Sequence, residues 1–212
     1  MEFVERNVVG SLRLIEAAYT ANVGRFVFIS TCAVHDRILD DRPLDEKHPL
    51  WSASHYGAHK AAIEKFVHSY GIGHGYAICA LRPTGVYGIA RPMERTKWFD
   101  LVQAVIRGES VTCGRGGKEV HAADVARAAG MLLTADGIAG EAYNCYDRYV
   151  SEWDVATLAK ELTKSSNKVL GDQTQPKHQI ETGKLRSLGM EFGCDALLRQ
   201  TIQQLVDAIR GA

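Results

Sequence analysis

The sequence predicts an α/β fold, in which helices cover both faces of a parallel sheet. Two observations lead to this class. Helical and strand patterns alternate along the chain, which is typical of parallel strands joined by crossover helices. The composition, with 46% hydrophobic and 24% charged residues over 212 positions, suits one globular unit of ordinary size.

The first 90 residues are predicted to contain two helix–strand pairs. Helices are expected near 3–21 and 56–70, and strands near 25–30 and 77–82. The second helix is expected to place four residues on one apolar side: Ile63, Phe66, Val67 and Tyr70. Glycines at positions 71, 73 and 75 follow this helix and precede a strand, so they are typical of a helix end.

The rest of the chain continues the alternation. We expect a helix over 97–107, short strands over 110–113 and 118–121, a helix over 124–134 and a strand over 142–146. Ser151 and Asp154 resemble a capping box that opens a helix ending near 163. A strand near 168–170 and helices near 183–188 and 195–210 complete the chain. The last helix carries an apolar stripe expected to lie in the core: Leu198, Ile202, Leu205 and Ile209.

Tyr56 and Lys60 form a pair that can carry chemistry, because residues four apart lie on one face of a helix. A nearby ammonium stabilises the phenolate form of a tyrosine. Such a tyrosine can give or take a hydroxyl proton while hydride moves between that carbon and a nicotinamide. The spacing alone is weak evidence, since Tyr and Lys also occur four apart on solvated helix faces.

Thr31 adds support from upstream. Residues 25–31 are predicted to form a buried strand that ends in the hydroxyl residues Ser30 and Thr31. Ligands bind at the carboxyl edge of open α/β sheets, where such strands end. Thr31 is therefore expected to hydrogen-bond the substrate oxygen that Tyr56 protonates. The alternative is that this hydroxyl satisfies the backbone of its own turn.

Further short motifs follow in order along nearly the whole chain. They occupy residues 7–18, 25–34, 43–46, 81–88, 120–128 and 143–144, with a later one at 182–189. Together with the Tyr-x-x-x-Lys pair, they resemble the extended short-chain dehydrogenase/reductases, in the NAD-dependent epimerase/dehydratase group. The resemblance implies a partial Rossmann-like sheet and a smaller C-terminal substrate lobe. It also implies an NAD(P)-dependent epimerase, dehydratase or oxidoreductase that acts on a hydroxyl or keto group of a sugar, nucleotide-linked or not, or of a small hydroxy compound.

The resemblance assigns the catalytic roles position by position. Tyr56 is expected to be the acid/base and Lys60 its electrostatic partner. Thr31 is expected to orient the substrate hydroxyl or carbonyl, and Asn7 occupies the proton-relay position. Three interpretations follow: an enzyme, a non-catalytic binding module on the same scaffold, or a fragment that complements a separate chain. The presence of all four residues favours the enzyme.

The implied cofactor is NAD or NADP. Its nicotinamide end is expected to contact Tyr56, Lys60 and the backbone of Ser30 and Pro83. The family's Gly-x-x-Gly-x-x-Gly loop, which brings the backbone close to the pyrophosphate, is not found in the sequence. By the family pattern on the order of 80 residues should precede this chain. The cofactor site is therefore expected to be incomplete, and Met1 to be an internal methionine.

The resemblance also implies a division of the single unit 1–212 into two parts. Residues 1–90, roughly, are expected to be the C-terminal part of a dinucleotide-binding domain. Residues 91–212 are expected to form mainly a substrate lobe, with segments that return to the first part.

The substrate class stays open at this stage. Several sugar-nucleotide epimerases of the family carry an Asn at the position of Gly85 and an Arg at the position of Gly117. Arg115 or Lys118 could replace that Arg, because either cation pairs with phosphate, although both could equally be solvated loop charges. Thr84, Gly85, Arg115 and Lys118 are therefore the expected substrate contacts, and a smaller hydroxy compound is the alternative.

Composition limits the other classes of partner. Lys+Arg and Asp+Glu both total 25, so no nucleic-acid partner is expected. No run of 18 apolar residues indicates a membrane span. The five dispersed cysteines favour reduced thiols in the cytoplasm, and Cys32 is expected to be a buried filler. No His/Cys cluster predicts a metal. An exposed sheet edge favours self-association, with a homodimer as the expected form.

Overall fold

The computed structural model describes residues 1–211, which form two compact units. The first unit contains Met1–Thr84, Val125–Tyr146 and His178–Glu191. The second contains Gly85–Asp124, Asp147–Lys177 and the chain from Phe192 onward. The chain therefore passes between the units several times, and each unit is assembled from distant parts of the sequence.

A three-stranded parallel sheet forms the centre of the first unit. Its strands are β1 (Phe26–Ile29), β2 (Ile78–Pro83) and β6 (Glu141–Cys145), in the order β1-β2-β6. Ile29 lies opposite Leu81, and Pro83 lies opposite Cys145. The carboxyl ends of all three strands therefore meet at one edge, which confirms the predicted α/β class with a parallel sheet.

Helices of the first unit begin with three consecutive segments: α1 (Glu2–Val4), a π-helical stretch (Glu5–Val9) and α2 (Gly10–Thr20). Helix α3 (His55–His68) starts after Ser54, whose Oγ accepts a hydrogen bond from the Gly57 amide at 3.1 Å. A π-helical turn (Ser69–Gly73) extends α3, and the left-handed Gly75 (φ 64°) separates it from β2. The glycine-rich segment therefore ends this helix, as predicted.

Side chains of β2 alternate between the two faces of the sheet. Ile78 and Ala80 pack against Ile63 of α3 in one apolar cluster. Cys79 and Leu81 face the other side and are fully buried. On that side lies α7 (Gly183–Arg186), whose Lys184 Nζ sits 4.5 Å from the Tyr143 ring. Helices therefore cover both faces of the sheet.

The second unit is built on shorter strands. Strand β3 (Gly85–Tyr87) runs parallel to β5 (Gly116–His121), which pairs antiparallel with β7 (Arg148–Ser151). A separate parallel pair joins β4 (Val111–Cys113) to β8 (Val169–Gly171). Three helices enclose the core of this unit: α4 (Phe99–Ile106), α6 (Glu152–Thr163) and α8 (Cys194–Gly211). Helix α5 (Ala122–Leu132) begins in this unit and continues in the first.

Most elements agree with the sequence-based expectations. The capping box of α6 is confirmed, because Ser151 and Asp154 exchange hydrogen bonds between side chain and backbone. Strands β3 and β7 were not expected, since three or four residues carry little periodicity. The placement of Phe66 on the apolar side is wrong: the residue is 43% exposed. Phe66 lies about 60° around the helix from Ile63, at the flank of the buried stripe.

No helix within residues 1–211 combines the length and the apolar content that crossing a bilayer requires.

Candidate active site

Helix α3 presents Tyr56 and Lys60 in its first two turns. Tyr56 is 44% exposed, and the Lys60 ammonium lies 5.9 Å from the centre of its ring. The same ammonium lies 4.6 Å from the ring of Phe28 in β1. Tyr56 and Lys60 therefore lie close together on α3, as their spacing predicts, and Lys60 reaches the sheet.

The backbone at the end of β1 holds the Lys60 ammonium. Its Nζ donates a hydrogen bond to the carbonyl oxygen of Ile29 at 2.7 Å. Burial lowers the pKa of this ammonium, while the negative charge of Glu64 acts in the opposite direction. The ammonium is thus fixed at the carboxyl edge of the sheet, close to the ring of Tyr56.

Thr31 follows directly at the same edge. Its Oγ1 accepts a hydrogen bond from the Ala33 amide at 3.1 Å and caps a short 3₁₀ turn (Cys32–Val34). The hydroxyl therefore does satisfy its own turn, which was the alternative interpretation. Because a hydroxyl both accepts and donates, its hydrogen is still available to a substrate oxygen.

Gly57 allows α3 to approach that turn closely. A Cβ at this position would lie 2.2 Å from the Ala33 carbonyl oxygen and 2.8 Å from Ser52 Oγ. Only a residue without a side chain fits at this distance. Gly57 therefore sets how near the helix that carries Tyr56 comes to the turn that follows Thr31.

Asn7 lies in the π-helical stretch before α2. Its Nδ2 donates to the Phe3 carbonyl at 3.0 Å, and its own carbonyl accepts from Ser11 Oγ at 2.8 Å. The Phe3 ring lies 4.9 Å from the ring of His59 on α3. This segment therefore packs near the helix of Tyr56, and the relay role of Asn7 stays a prediction.

Ser30, Pro83 and Thr84 lie at the ends of β1 and β2. The Ser30 amide donates to Leu81 O at 2.7 Å, and its hydroxyl turns inward to Glu64. The Thr84 amide donates to Cys145 O at 3.1 Å, while its Oγ1 is buried without a hydrogen-bond partner among residues 1–211. A buried hydroxyl without a partner among these residues suits a polar ligand at this edge of the sheet.

A buried ion pair behind these residues was not anticipated from the sequence. The side chains of Glu64 and Arg82 are 1% and 2% exposed. Arg82 Nη2 lies 2.6 Å from Glu64 Oε2, and its Nε lies 3.1 Å from both carboxylate oxygens. Two signals were present in the sequence: a lone cation inside the apolar strand β2, and a carboxylate on the buried face of α3.

The expected substrate contacts Gly85, Arg115 and Lys118 lie in the second unit. A cavity of about 260 Å³ is lined by Arg115 together with Lys97, Trp98, Gly116, Gly117, Glu119, Val150 and Glu152. The Glu119 carboxylate pairs with Lys97, and a Cβ at Gly85 or Gly117 would lie 2.6 or 2.4 Å from one of its oxygens. Burial raises the pKa of Glu119. Lys118 lies opposite Tyr149 in the β5–β7 pair.

Cys32 lies partly buried beside the site. Burial raises the pKa of its thiol to about 12, and its Sγ donates to the Arg82 carbonyl oxygen at 3.0 Å. This supports the expectation of a filler rather than a nucleophile. Across the described residues, no three His, Cys, Asp or Glu side chains are grouped so that they could hold a metal ion.

Comparison with known sequences gives a family. The sequence model of the NAD dependent epimerase/dehydratase family matches residues 1–145. The dTDP-D-glucose 4,6-dehydratase of Mus musculus is 35% identical over 167 residues, which is 76% of this chain and 45% of that protein. The UDP-glucose 4-epimerase of Rhizobium meliloti is 38% identical over 80 residues, or 38% of this chain and 24% of that protein.

Comparison with solved structures agrees. The UDP-glucose 4-epimerase of Thermus thermophilus, in complex with NAD, superposes with a TM-score of 0.75 at 25% identity. The match covers 99% of this chain and 71% of that one. The chain thus spans about half the length of the curated dehydratases that it matches and about 70% of this structural neighbour.

Proposed function

The chain belongs to the NAD dependent epimerase/dehydratase family, and we propose that its first unit exchanges a proton with a sugar hydroxyl or keto group during NAD(P)-linked hydride transfer. The observation that carries this proposal is the Lys60 ammonium, fixed at 2.7 Å from the Ile29 carbonyl and beside the Tyr56 ring. That arrangement brings an acid/base group and a hydroxyl donor, Thr31, to one edge of a parallel sheet.

Each side chain has a defined task. Tyr56 takes the proton of a substrate hydroxyl on oxidation and returns it on reduction. The Lys60 ammonium stabilises the phenolate that accepts this proton and that forms again when the proton is returned. Thr31 donates its hydrogen to the same substrate oxygen and thereby orients it. Asn7, on the segment packed near α3, occupies the proton-relay position that the family resemblance assigns to it.

The carboxyl edge of the first unit is proposed to hold the nicotinamide end of NAD or NADP. Lys60 would bind the ribose beside the Tyr56 ring, and the backbone at Ser30 and Pro83 would contact the nicotinamide. When bound, the cofactor supplies hydride transfer. The buried and unpaired Thr84 hydroxyl supports a polar ligand at this edge.

The substrate is proposed to be a nucleotide-linked sugar. The relatives named above act on dTDP-glucose or UDP-glucose, as their names state. Arg115 and Lys118 supply the cations that a diphosphate requires, and the absence of a side chain at Gly85 makes room for the Glu119 carboxylate. Epimerisation, dehydration and simple reduction all share the Tyr56 step, so the product analysis distinguishes them.

We also propose the role of each unit and the state of the protein. The first unit corresponds to the C-terminal part of a dinucleotide-binding domain, and the second is mainly the substrate lobe. A homodimer through α2 and α3 would cover Leu14 and Phe66, which are 61% and 43% exposed. Cysteines without disulfide bonds favour the cytoplasm. Size-exclusion chromatography with light scattering tests the dimer.

A fluorescence titration with NADH and NADPH tests the proposed cofactor edge. We expect saturable binding to the 212-residue chain. Lys60→Ala should weaken it about tenfold or more, because a charge-assisted hydrogen bond is lost. Lys65→Ala removes an exposed lysine from the same helix and should leave the affinity unchanged. Equal affinities of the two variants, or no saturable binding by the wild-type chain, would contradict the proposal.

A further inference from the structure

The Glu64–Arg82 ion pair takes no part in the proton exchange described above, yet it lies directly behind the residues that carry it. Glu64 follows Lys60 by one turn of α3, and Arg82 lies near the carboxyl end of β2. Burying two charges costs desolvation energy that their attraction only roughly offsets, so stability alone is a weak reason for such a pair. The hydrogen bonds of the pair indicate instead that it holds neighbouring segments in place.

One group of contacts leads to the end of β1. The Ser30 hydroxyl donates to a Glu64 carboxylate oxygen. Ser30 stands between Ile29, whose carbonyl accepts from Lys60 Nζ, and Thr31. A single carboxylate therefore fixes the residue between the anchor of the ammonium and the hydroxyl donor.

A second group of contacts leads to the turn after Thr31 and to the neighbouring loop. Arg82 Nη1 donates to the Glu46 carbonyl at 3.2 Å and lies 3.3 Å from His35 Nε2. The Arg82 carbonyl accepts from Cys32 Sγ at 3.0 Å. Arg82 thus connects β2 to Cys32 and His35 at the 3₁₀ turn and to Glu46 further along the chain.

The charge of Glu64 also acts on Lys60. On α3, Glu64 lies one turn after Lys60, and the Tyr56 ring centre lies 5.9 Å from the ammonium. From β1 the ammonium meets the Phe28 ring and the Ile29 carbonyl. Burial lowers the pKa of Lys60, and Glu64 opposes that effect. Arg82 and then His35 stand beyond the carboxylate. The carboxylate is therefore placed to keep the lysine protonated.

We propose that Glu64 and Arg82 are positioning residues for the active site: they fix the end of β1 against α3 so that Lys60 stays charged and Thr31 stays aligned with Tyr56. The inference rests on the proposed function, in which these three residues carry the chemistry. Neither Glu64 nor Arg82 touches the substrate in this account.

The first test follows the ionisation of Lys60 and needs no catalytic activity. Lysines are ¹³C-methylated, and the Lys60 signal is assigned by its loss in Lys60→Arg and titrated by NMR. In Glu64→Gln the midpoint should move to lower pH than in the wild type, because the opposing charge is lost. Glu161→Gln breaks an exposed Glu–Arg pair with Arg199 and should leave the midpoint unchanged. An unchanged midpoint in Glu64→Gln would overturn the proposal, whatever reaction the chain catalyses.

The second test uses Ser30→Ala, which removes one contact and keeps both buried charges. The Lys60 midpoint should stay at its wild-type value, while turnover falls about a hundredfold because Thr31 is less well aligned. The KM for the nicotinamide cofactor should change little. If Glu64→Gln does not fold, Ser30→Ala carries the test alone. Wild-type turnover in Ser30→Ala would overturn the positioning role even if the chain is an active enzyme.

Discussion

At the scale of single residues, the candidate site depends on contacts between residues that lie far apart in the sequence. The spacing of Tyr56 and Lys60 predicted that they share a helix face, and the structure places the ammonium 5.9 Å from the tyrosine ring. Local spacing could not show that Ile29 anchors the ammonium or that Arg82 pairs with Glu64, because these contacts join residues 18 to 31 positions apart. Such contacts depend on strand register, which a single sequence does not specify.

Thr31 is expected to serve the turn and the substrate with the same hydroxyl. Thr31→Val keeps the branched shape but loses both interactions. We expect turnover to fall about tenfold to a hundredfold and the free energy of unfolding to fall by about 1 kcal/mol. Steady-state kinetics and chemical denaturation measure the two effects. Thr31→Ser retains the hydroxyl and should preserve most of both, and equal activity of the Val and Ser variants would refute the role.

Cys32 is expected to be inert despite its place next to Thr31. Its pKa of about 12, raised by burial, leaves almost no thiolate at pH 8, and Cys79 is in the same condition. Cys194 is exposed. In folded protein at pH 8, iodoacetamide should therefore modify Cys194 and spare Cys32 and Cys79, as read by peptide mass spectrometry. Rapid modification of Cys32 would mean that the thiol is reachable and ionised.

At the scale of elements, helix α3 and strand β1 determine the geometry of the site. The sequence predicted both, since an apolar run and a helical stripe are strong local signals. It could not show how closely they approach, which depends on Gly57 facing the Ala33 carbonyl. The same limit applies to β3 and β7, which are too short for a periodic signal and exist because β5 pairs with them.

Gly57→Ala tests the close approach of helix and turn. Alanine favours a helix by about 1 kcal/mol over glycine, but its Cβ would lie 2.2 Å from a backbone oxygen that cannot move freely. We expect the steric clash to outweigh the gain in helix propensity. The free energy of unfolding should fall by about 1–3 kcal/mol, and turnover should fall about a hundredfold. Thermal unfolding and kinetics measure these effects.

Gly73→Ala is the matched control for that experiment. Gly73 lies in the π-helical extension of the same helix, where a Cβ meets nothing within 4 Å. Its stability should stay equal or rise, with wild-type turnover. If Gly57→Ala keeps wild-type stability and turnover, as Gly73→Ala should, the backbone at Ala33 shifts to accommodate the Cβ. The close approach of helix and turn is then not required for activity.

At the scale of the whole molecule, the sequence predicted the class of fold and the family, because alternation and ordered motifs extend along the chain. It could not define the two units, whose segments interleave and divide α5.

Acid stability is a property at this scale. His35 is buried, and its pKa is lowered to about 4, first by burial and then by the charge of Arg82.

The sign of the His35 effect follows from its two states. In the unfolded chain His35 becomes protonated as the pH falls through 6.5, whereas in the folded protein it becomes protonated only near pH 4. The free energy of unfolding therefore decreases as the pH is lowered from 6.5 to 4. Protonation of His35 accounts for a loss of about 3 kcal/mol in the free energy of unfolding between pH 7 and pH 4. Urea denaturation at both pH values should show that the free energy of unfolding decreases less for His35→Gln than for the wild type. The exposed His74→Gln should match the wild type, and equal losses in all three would refute the assignment.

The central claim is that Tyr56 is the acid/base of an NAD(P)-dependent reaction on a sugar. Its most direct measurement is the turnover of UDP-glucose and dTDP-glucose by Tyr56→Phe, compared with Tyr19→Phe, which removes a similarly exposed phenol hydroxyl from α2. The account predicts that Tyr56→Phe loses about 10²–10⁴-fold in turnover and keeps its affinity for NADH, while Tyr19→Phe is unaffected. Wild-type turnover in Tyr56→Phe would contradict it.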